Sequence, residues 1–144
     1  MSLRFALLSA VFAAAMVGLA PAGANAAEHT VKMFNDNGKG EFMVFEPSFV
    51  QAAPGDTDQF HNAETLPEIW PEGAAPFKGE LSKDVTLTVE KEGVYGIKCL
   101  PHYPMGMLAL VVVGKPVNAA QLKAYQPPEM GKKRFEALAA QVPQ

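Results

Sequence analysis

A thiol, an imidazole and two thioethers fall within one short stretch, Cys99-Leu100-Pro101-His102-Tyr103-Pro104-Met105-Gly106-Met107. Cys99 is the single cysteine of the chain, so no internal disulfide consumes it, and its neighbours decide its chemistry. Thiolate and thioether are soft donors that select copper over calcium or magnesium. One Cys with two His in a trigonal arrangement and a weak axial Met is the blue-copper ligand set. That set calls for a second histidine. His61, in His61-Asn62-Ala63-Glu64, is the candidate, because it follows a strand expected to begin near Asp56.

Other chemistry can be weighed on the same residues. Cys99 and His102 resemble a nucleophile and its base, but three-residue spacing in a tight turn suits joint metal ligation better. No oxyanion-hole motif accompanies the pair, so an enzyme is not expected. The same donors would also serve a passive copper- or zinc-binding module. Cys99 alone reads as a small buried hydrophobe. Met105 reads as core filling or as a surface docking residue, Trp70 as packing, and Tyr95 as packed or hydrogen-bonded inside the fold.

The elements that must position these donors follow from period and punctuation. Thr30 to Phe34, Phe42 to Phe45, Phe49 to Ala53, Val85 to Val89, Val94 to Cys99 and Leu108 to Val113 are short runs rich in β-branched or aromatic residues, and they predict strands. In Val85-Thr86-Leu87-Thr88-Val89 the apolar residues fall on one face and the threonines on the other. Asn37-Gly38, Pro54-Gly55 and Glu92-Gly93 supply turns. Strands separated by turns, with no helix between them, predict an all-β sandwich. Leu66 to Gly79, with Pro67, Pro71, Gly73 and Pro76, reads as a long surface loop.

The period changes only after Lys115-Pro116. Asn118 can cap a helical turn through Tyr125, and Pro127-Pro128 separates it from a second helix over Glu129 to Gln141. Met130, Phe135, Leu138 and Ala139 would form the apolar stripe of that helix. Residues 117–144 are thus a helical extension packed on the sandwich.

Composition narrows the function classes. The chain has 144 residues, 12 Lys and Arg against 15 Asp and Glu, and a net charge of −3. This fits one domain, and so small and acidic a charge argues against a sequence-independent grip on nucleic acid, which needs several clustered cations. Arg4 precedes an apolar run from Phe5 to Ala20, too short for a membrane span. Ala24-Asn25-Ala26 then places small side chains where a signal peptidase reads. Residues 1–26 are therefore expected to be a cleaved signal peptide and 27–144 the exported domain, with no membrane attachment after cleavage. From Glu28 to Glu92 there are 13 acids and five lysines, whereas from Gly93 onward two acids face six cations. Such asymmetry can steer a protein partner, and a solvated helix face accounts for much of it. Cleavage after Ala26 would also leave Ala27-Glu28-His29 at the amino terminus. Its amine, amides and imidazole could wrap Cu(II) or Ni(II) in a square plane, unless His29 merely starts the first strand.

At these residues the sequence resembles a known family. The loop Cys99-x-x-His102-x-x-x-x-Met107, the preceding Gly-Val-Tyr-Gly-Ile-Lys, Met43-Val44-Phe45-Glu46-Pro47, Ala53-Pro54-Gly55-Asp56-Thr57 and His61-Asn62-x-Glu64-Thr65 are similar to those of the pseudoazurins, which are cupredoxins. The resemblance covers nearly all of the mature chain, including the C-terminal helices. It implies a cupredoxin-like Greek-key β-sandwich with two C-terminal α-helices, holding one type 1 copper ion, Cu(I)/Cu(II). His61, Cys99, His102 and Met107 would be the ligands, with Met107 rather than Met105 axial and the Asn62 backbone amide donating to the sulfur. It further implies a monomeric periplasmic electron carrier. Its redox partners would be copper nitrite reductase or other denitrification enzymes, and c-type cytochromes. His102 would lie at the docking face near Pro104 and Met105, with Lys39, Lys78, Lys98 and Lys132 around it.

The chain departs from the family in one place. Only Asp58, Gln59 and Phe60 stand between Thr57 and His61, where pseudoazurins carry several more residues. Four steps at roughly 3.3 Å reach about 13 Å, short of an ordinary strand of roughly 17–20 Å. A truncated strand or a displaced Pro54-Gly55 turn is expected, with packing lost beside the site and an altered or impaired copper centre.

Overall fold

The structure, a computed structural model, describes residues 27–52, 54 and 57–144, with the backbone alone at 57–61. The expected signal peptide over 1–26, Ala53 and the Gly55 half of the Pro54-Gly55 turn lie outside the described residues. Chain order runs β1 (Glu28–Thr30), β2 (Lys32–Asp36), β3 (Phe42–Glu46), β4 (Phe49–Ala52), β5 (Thr57–His61), β6 (Glu64–Thr65), β7 (Asp84–Thr88), β8 (Gly93–Lys98) and β9 (Leu108–Val113). Helices α1 (Ala119–Ala124) and α2 (Lys132–Ala139) follow, with a 3-10 turn at Glu129–Gly131 before the second.

One layer is the sheet β4-β9-β8-β6; the other joins β1-β5-β7 to β2-β3 through Val31. Two pairings are parallel, β1 with β5 and β4 with β9, and they tie strands remote in sequence. The period-2 geometry of a strand explains the interior. Along β9, Ala109, Val111 and Val113 face the opposite sheet together with Tyr95, Ile97 and Cys99, against Val31, Phe45 and Leu87. The alternate residues Leu108, Leu110 and Val112, with Val94, face the C-terminal helices through Leu122, Tyr125, Phe135 and Leu138. A strand buried on both faces must be apolar throughout, and all six residues of β9 are buried.

Several expectations are corrected by packing. Residues 66–79 form the expected loop, but its first part is not confined to the surface. Leu66, Ile69 and Trp70 are buried, the Leu66 amide donates to the Gly96 carbonyl (2.8 Å) and the Gly96 amide returns a bond to Ile69 (2.7 Å). Trp70 meets Tyr95 edge to face at 4.8 Å, an arrangement aromatic quadrupoles favour. Asn118 does not cap α1 with its side chain. That amide instead brackets Val94, accepting from its N–H (2.6 Å) and donating to its carbonyl (2.9 Å). The anchor docks the helix on β8. Met130 is 72% exposed, because it lies in the 3-10 turn ahead of α2, off the stripe made by Phe135 and Leu138.

Candidate metal centre

β8 delivers Cys99 in an extended conformation (φ −92°, ψ 112°) to a 3-10 turn at Leu100–Met105. A proline at its start suits a position whose N–H has no helical partner. Gly106, at φ +83°, ends the turn, a left-handed conformation that glycine adopts without steric penalty, and β9 begins two residues later. The three expected donors of this loop are bonded to one another through their backbones. His102 N–H donates to the Cys99 carbonyl (3.1 Å), Met107 N–H to that of His102 (3.2 Å), and Cys99 N–H to that of Met107 (3.1 Å). This ring ties the three positions into one backbone unit.

The side chains follow. Cys99 Sγ lies 3.4 Å from His102 Nδ1. Cys99 and Met107 are buried in one apolar cluster, whereas Met105 is 39% exposed. Met107 is thus part of the core and Met105 part of the surface. Burial pushes the Cys99 thiol up, with Glu64 adding to the rise, while a hydrogen bond from the His102 backbone offsets part of it. Neutralising such a buried thiolate falls to a cation. His102 is half-buried, and Leu100, Pro101, Pro104 and Met105 form an exposed, mostly apolar rim beside it.

Asn62 sits opposite, in a left-handed turn at φ +48°. Its backbone N–H donates to the Lys83 carbonyl (3.2 Å), not to the sulfur as expected. The side-chain Nδ2 faces Cys99 Sγ instead, at 3.8 Å. The preceding residue, His61, is the last of β5 and pairs with Asp84 of β7; its side chain lies outside what the structure describes. β5 is five residues long and all five are in register with β7. The chain thus places position 61 next to a residue that touches the sulfur. Among the described residues no three His, Cys, Asp or Glu side chains cluster as a metal site. The described donors are one thiol, one imidazole and one thioether, and this set fits copper.

The lysines expected around the loop are accounted for in part. Lys98 pairs with Glu64 (3.5 Å) and lies 5.3 Å from the centre of the Tyr103 ring. Lys39 pairs with Glu46 (2.5 Å) and Lys132 with Glu129 (2.7 Å). Lys78 lines a cavity of about 600 Å³ with Asn62, Leu81, Leu100 and Pro101. At the amino terminus, Glu28, His29 and Thr30 are paired in parallel with Thr57, Asp58 and Gln59. A square-planar site there would have to draw its backbone amides out of a ladder.

A two-layer sandwich with a Cys-His-Met loop between its last strands defines a copper protein of the cupredoxin class. Residues 31–114 match the profile of the copper binding proteins, plastocyanin/azurin family. The pseudoazurin of Paracoccus pantotrophus is 46% identical over 140 residues, covering 92% of this chain and 95% of its own. That of Methylorubrum extorquens is 42% identical over 149 aligned positions, covering 99% of each. The crystal structure of native pseudoazurin from Hyphomicrobium denitrificans superposes with a TM-score of 0.78 at 51% identity, covering 82% of this chain and all of that one. The chain belongs to the plastocyanin/azurin family of copper-binding proteins and, within it, to the pseudoazurins. Its cofactor is accordingly one type 1 copper, and its chemistry is that of a blue copper protein.

Two features of the site had no signature in the sequence. Asn62 was identified by type but with the wrong amide, since only a folded chain shows that Lys83 claims the backbone N–H. Arg134 donates to carbonyl oxygens beside the ligand loop, and backbone acceptors leave no trace in side-chain patterns.

Proposed function

We propose that this chain is a periplasmic single-electron carrier serving redox partners such as copper nitrite reductase, other denitrification enzymes or c-type cytochromes. His61, Cys99, His102 and Met107 are its copper ligands. Residues 1–26 are its signal peptide and 27–144 the working domain, a monomer. The observation that carries the reading is the backbone ring joining Cys99, His102 and Met107, with the buried thiol against the half-buried imidazole. Copper, when bound, supplies the one-electron couple. The protein contributes donors held in place by their own backbone bonds, so the geometry need change little between oxidation states. The half-buried His102 and its apolar rim offer a short route to a docked partner. Lys78 beside that rim would raise the encounter rate with an acidic surface. No helix among the described residues is long and apolar enough to cross a membrane.

The test is to add Cu(II) to the purified protein and record the visible spectrum with the bound stoichiometry. One tightly held copper with an intense blue or green thiolate charge-transfer band is expected. A colourless or weakly bound metal would return the chain to the passive copper- or zinc-binding reading, with the short β5 as the cause. Extra pale copper lost in His29→Ala would locate a second, terminal site.

A further inference from the structure

Arg134 lies in α2, remote in sequence from every candidate ligand, yet its guanidinium reaches the ligand loop. Nη1 donates to the Gly106 carbonyl (2.6 Å) and to that of Met43 (3.0 Å). Nη2 donates to the Phe42 carbonyl (3.2 Å). Gly106 immediately precedes Met107. Met43 packs against the cluster that holds Cys99 and Met107 and adopts φ +50°, a left-handed conformation that is unfavourable for a residue with a side chain and persists only where its surroundings enforce it. One planar cation therefore ties together the peptide before Met107, the irregular point of β3 and the C-terminal helix. A guanidinium offers five donors in a fixed fork, which an ammonium does not.

The backbone around Arg134 is equally committed. A Cβ added at Gly131 would lie 2.9 Å from Gly106 Cα, and one added at Gly106 would lie 2.5 Å from Gly131 Cα. The ligand loop and the entrance to α2 meet main chain against main chain, where neither side can yield by rotating a side chain. Phe135 and Leu138 hold α2 on the far face of the β8–β9 sheet, so the guanidinium is presented from a packed element.

We propose that Arg134 is a positioning residue of the copper centre, fixing the Gly106 peptide and through it the reach of the Met107 thioether. The C-terminal helix is then a working part of the site and not an appendage. The inference rests on the reading of Met107 as a ligand, and the test separates the two.

Arg134→Gln and Arg134→Lys are compared with the parent in two measurements. In metal-free protein, amide exchange is followed at Cys99, Gly106 and Met107, whose N–H groups close the loop, with Gly96 and Leu110, bonded elsewhere in the sheet, as internal references. In copper-loaded protein, the visible spectrum and reduction potential are recorded. Arg134→Gln is expected to speed exchange of the three loop amides roughly 10- to 100-fold, the loss of a charge-assisted hydrogen bond. Gly96 and Leu110 should keep their rates, and both spectrum and potential should shift. Arg134→Lys should recover only part of the loop protection, since charge without the fork cannot hold three carbonyls. Unchanged loop exchange overturns the proposal, as does equal acceleration at all five amides, which would mean general destabilisation. Faster loop exchange with an unaltered spectrum and potential also overturns it, reducing Arg134 to a structural brace. Met107→Leu is the control for the underlying reading. If it leaves spectrum and potential unmoved, the ligand assignment falls and the proposed action through Met107 falls with it, a failure told apart from the others because loop exchange is read without copper.

Discussion

The β8–β9 pair and the β5–β7 pair flank the metal centre, and both form continuous antiparallel ladders. They differ in what backs them. Every residue of β9 is buried and both of its faces are packed, one by the opposite sheet and one by the helices. Of β7 only Leu87 is buried, while Asp84, Thr86 and Thr88 are exposed. Cys99, His102 and Met107 hang from the first pair and His61 from the end of the second. Three of the proposed ligands thus share a corner fixed by core packing, backbone bonds and a helix, and the fourth, at position 61, ends a strand whose partner β7 has one buried residue.

The largest effects concern the metal. Cys99→Ser and His61→Ala should each abolish the intense charge-transfer band. His61→Ala should leave the unfolding midpoint of the metal-free protein unchanged, whereas a large drop would show that β5 carries more of the fold than this contrast allows. Next come the cores. Leu110→Ala in β9 should cost about 2–5 kcal/mol in denaturant unfolding, and Val85→Ala, half-buried in β7, about 1 kcal/mol; equal costs would break the comparison. Gly131→Ala should destabilise by about 1–3 kcal/mol through backbone overpacking against Gly106, visible as a lower unfolding midpoint and a perturbed copper spectrum.

The smallest effect is a pH dependence. Burial, with the neighbouring Tyr103 hydroxyl, pushes the Tyr125 phenol well above its ordinary value, and burial raises Tyr95 too. The unfolded chain ionises these phenols near pH 10 while the folded one keeps them protonated. Their contribution is therefore full below about pH 10 and is lost as pH rises beyond it. Stability should be flat with respect to these groups at neutral pH and fall in alkali, with a shallower fall in Tyr125→Phe.

The same contrast explains what could be read in advance. Cys99, His102 and Met107 are legible because their spacing lies in one loop, and local spacing survives folding. The alternation of Val85 to Val89 is legible for a similar reason, since a strand's period is a local property. Expectations failed where a remote partner decides the outcome. Leu66 and Ile69 look like surface loop residues until α1 and β8 cover them, and Asn118 looks like a cap until Val94 competes for its amide. Met130 fits a helical stripe only if the helix starts earlier than it does. The fold class needed no such information, because apolar runs bounded by turns constrain it before any particular contact is made.

The parallel pairing of β4 with β9 also orders events in time. Gln51 finds its partner only at Val112, so β4 waits while most of the intervening chain is made, and closing such distant contacts is slow. Met107, by contrast, returns to Cys99 through the antiparallel β8–β9 pair, a local closure that does not wait for β4. The burial of Cys99, whose cluster includes Phe45 and Leu87 of the opposite layer, is complete only once the sandwich has closed. Until then the lone thiol is without its cover, and the interval sets how long it stands open to oxidation.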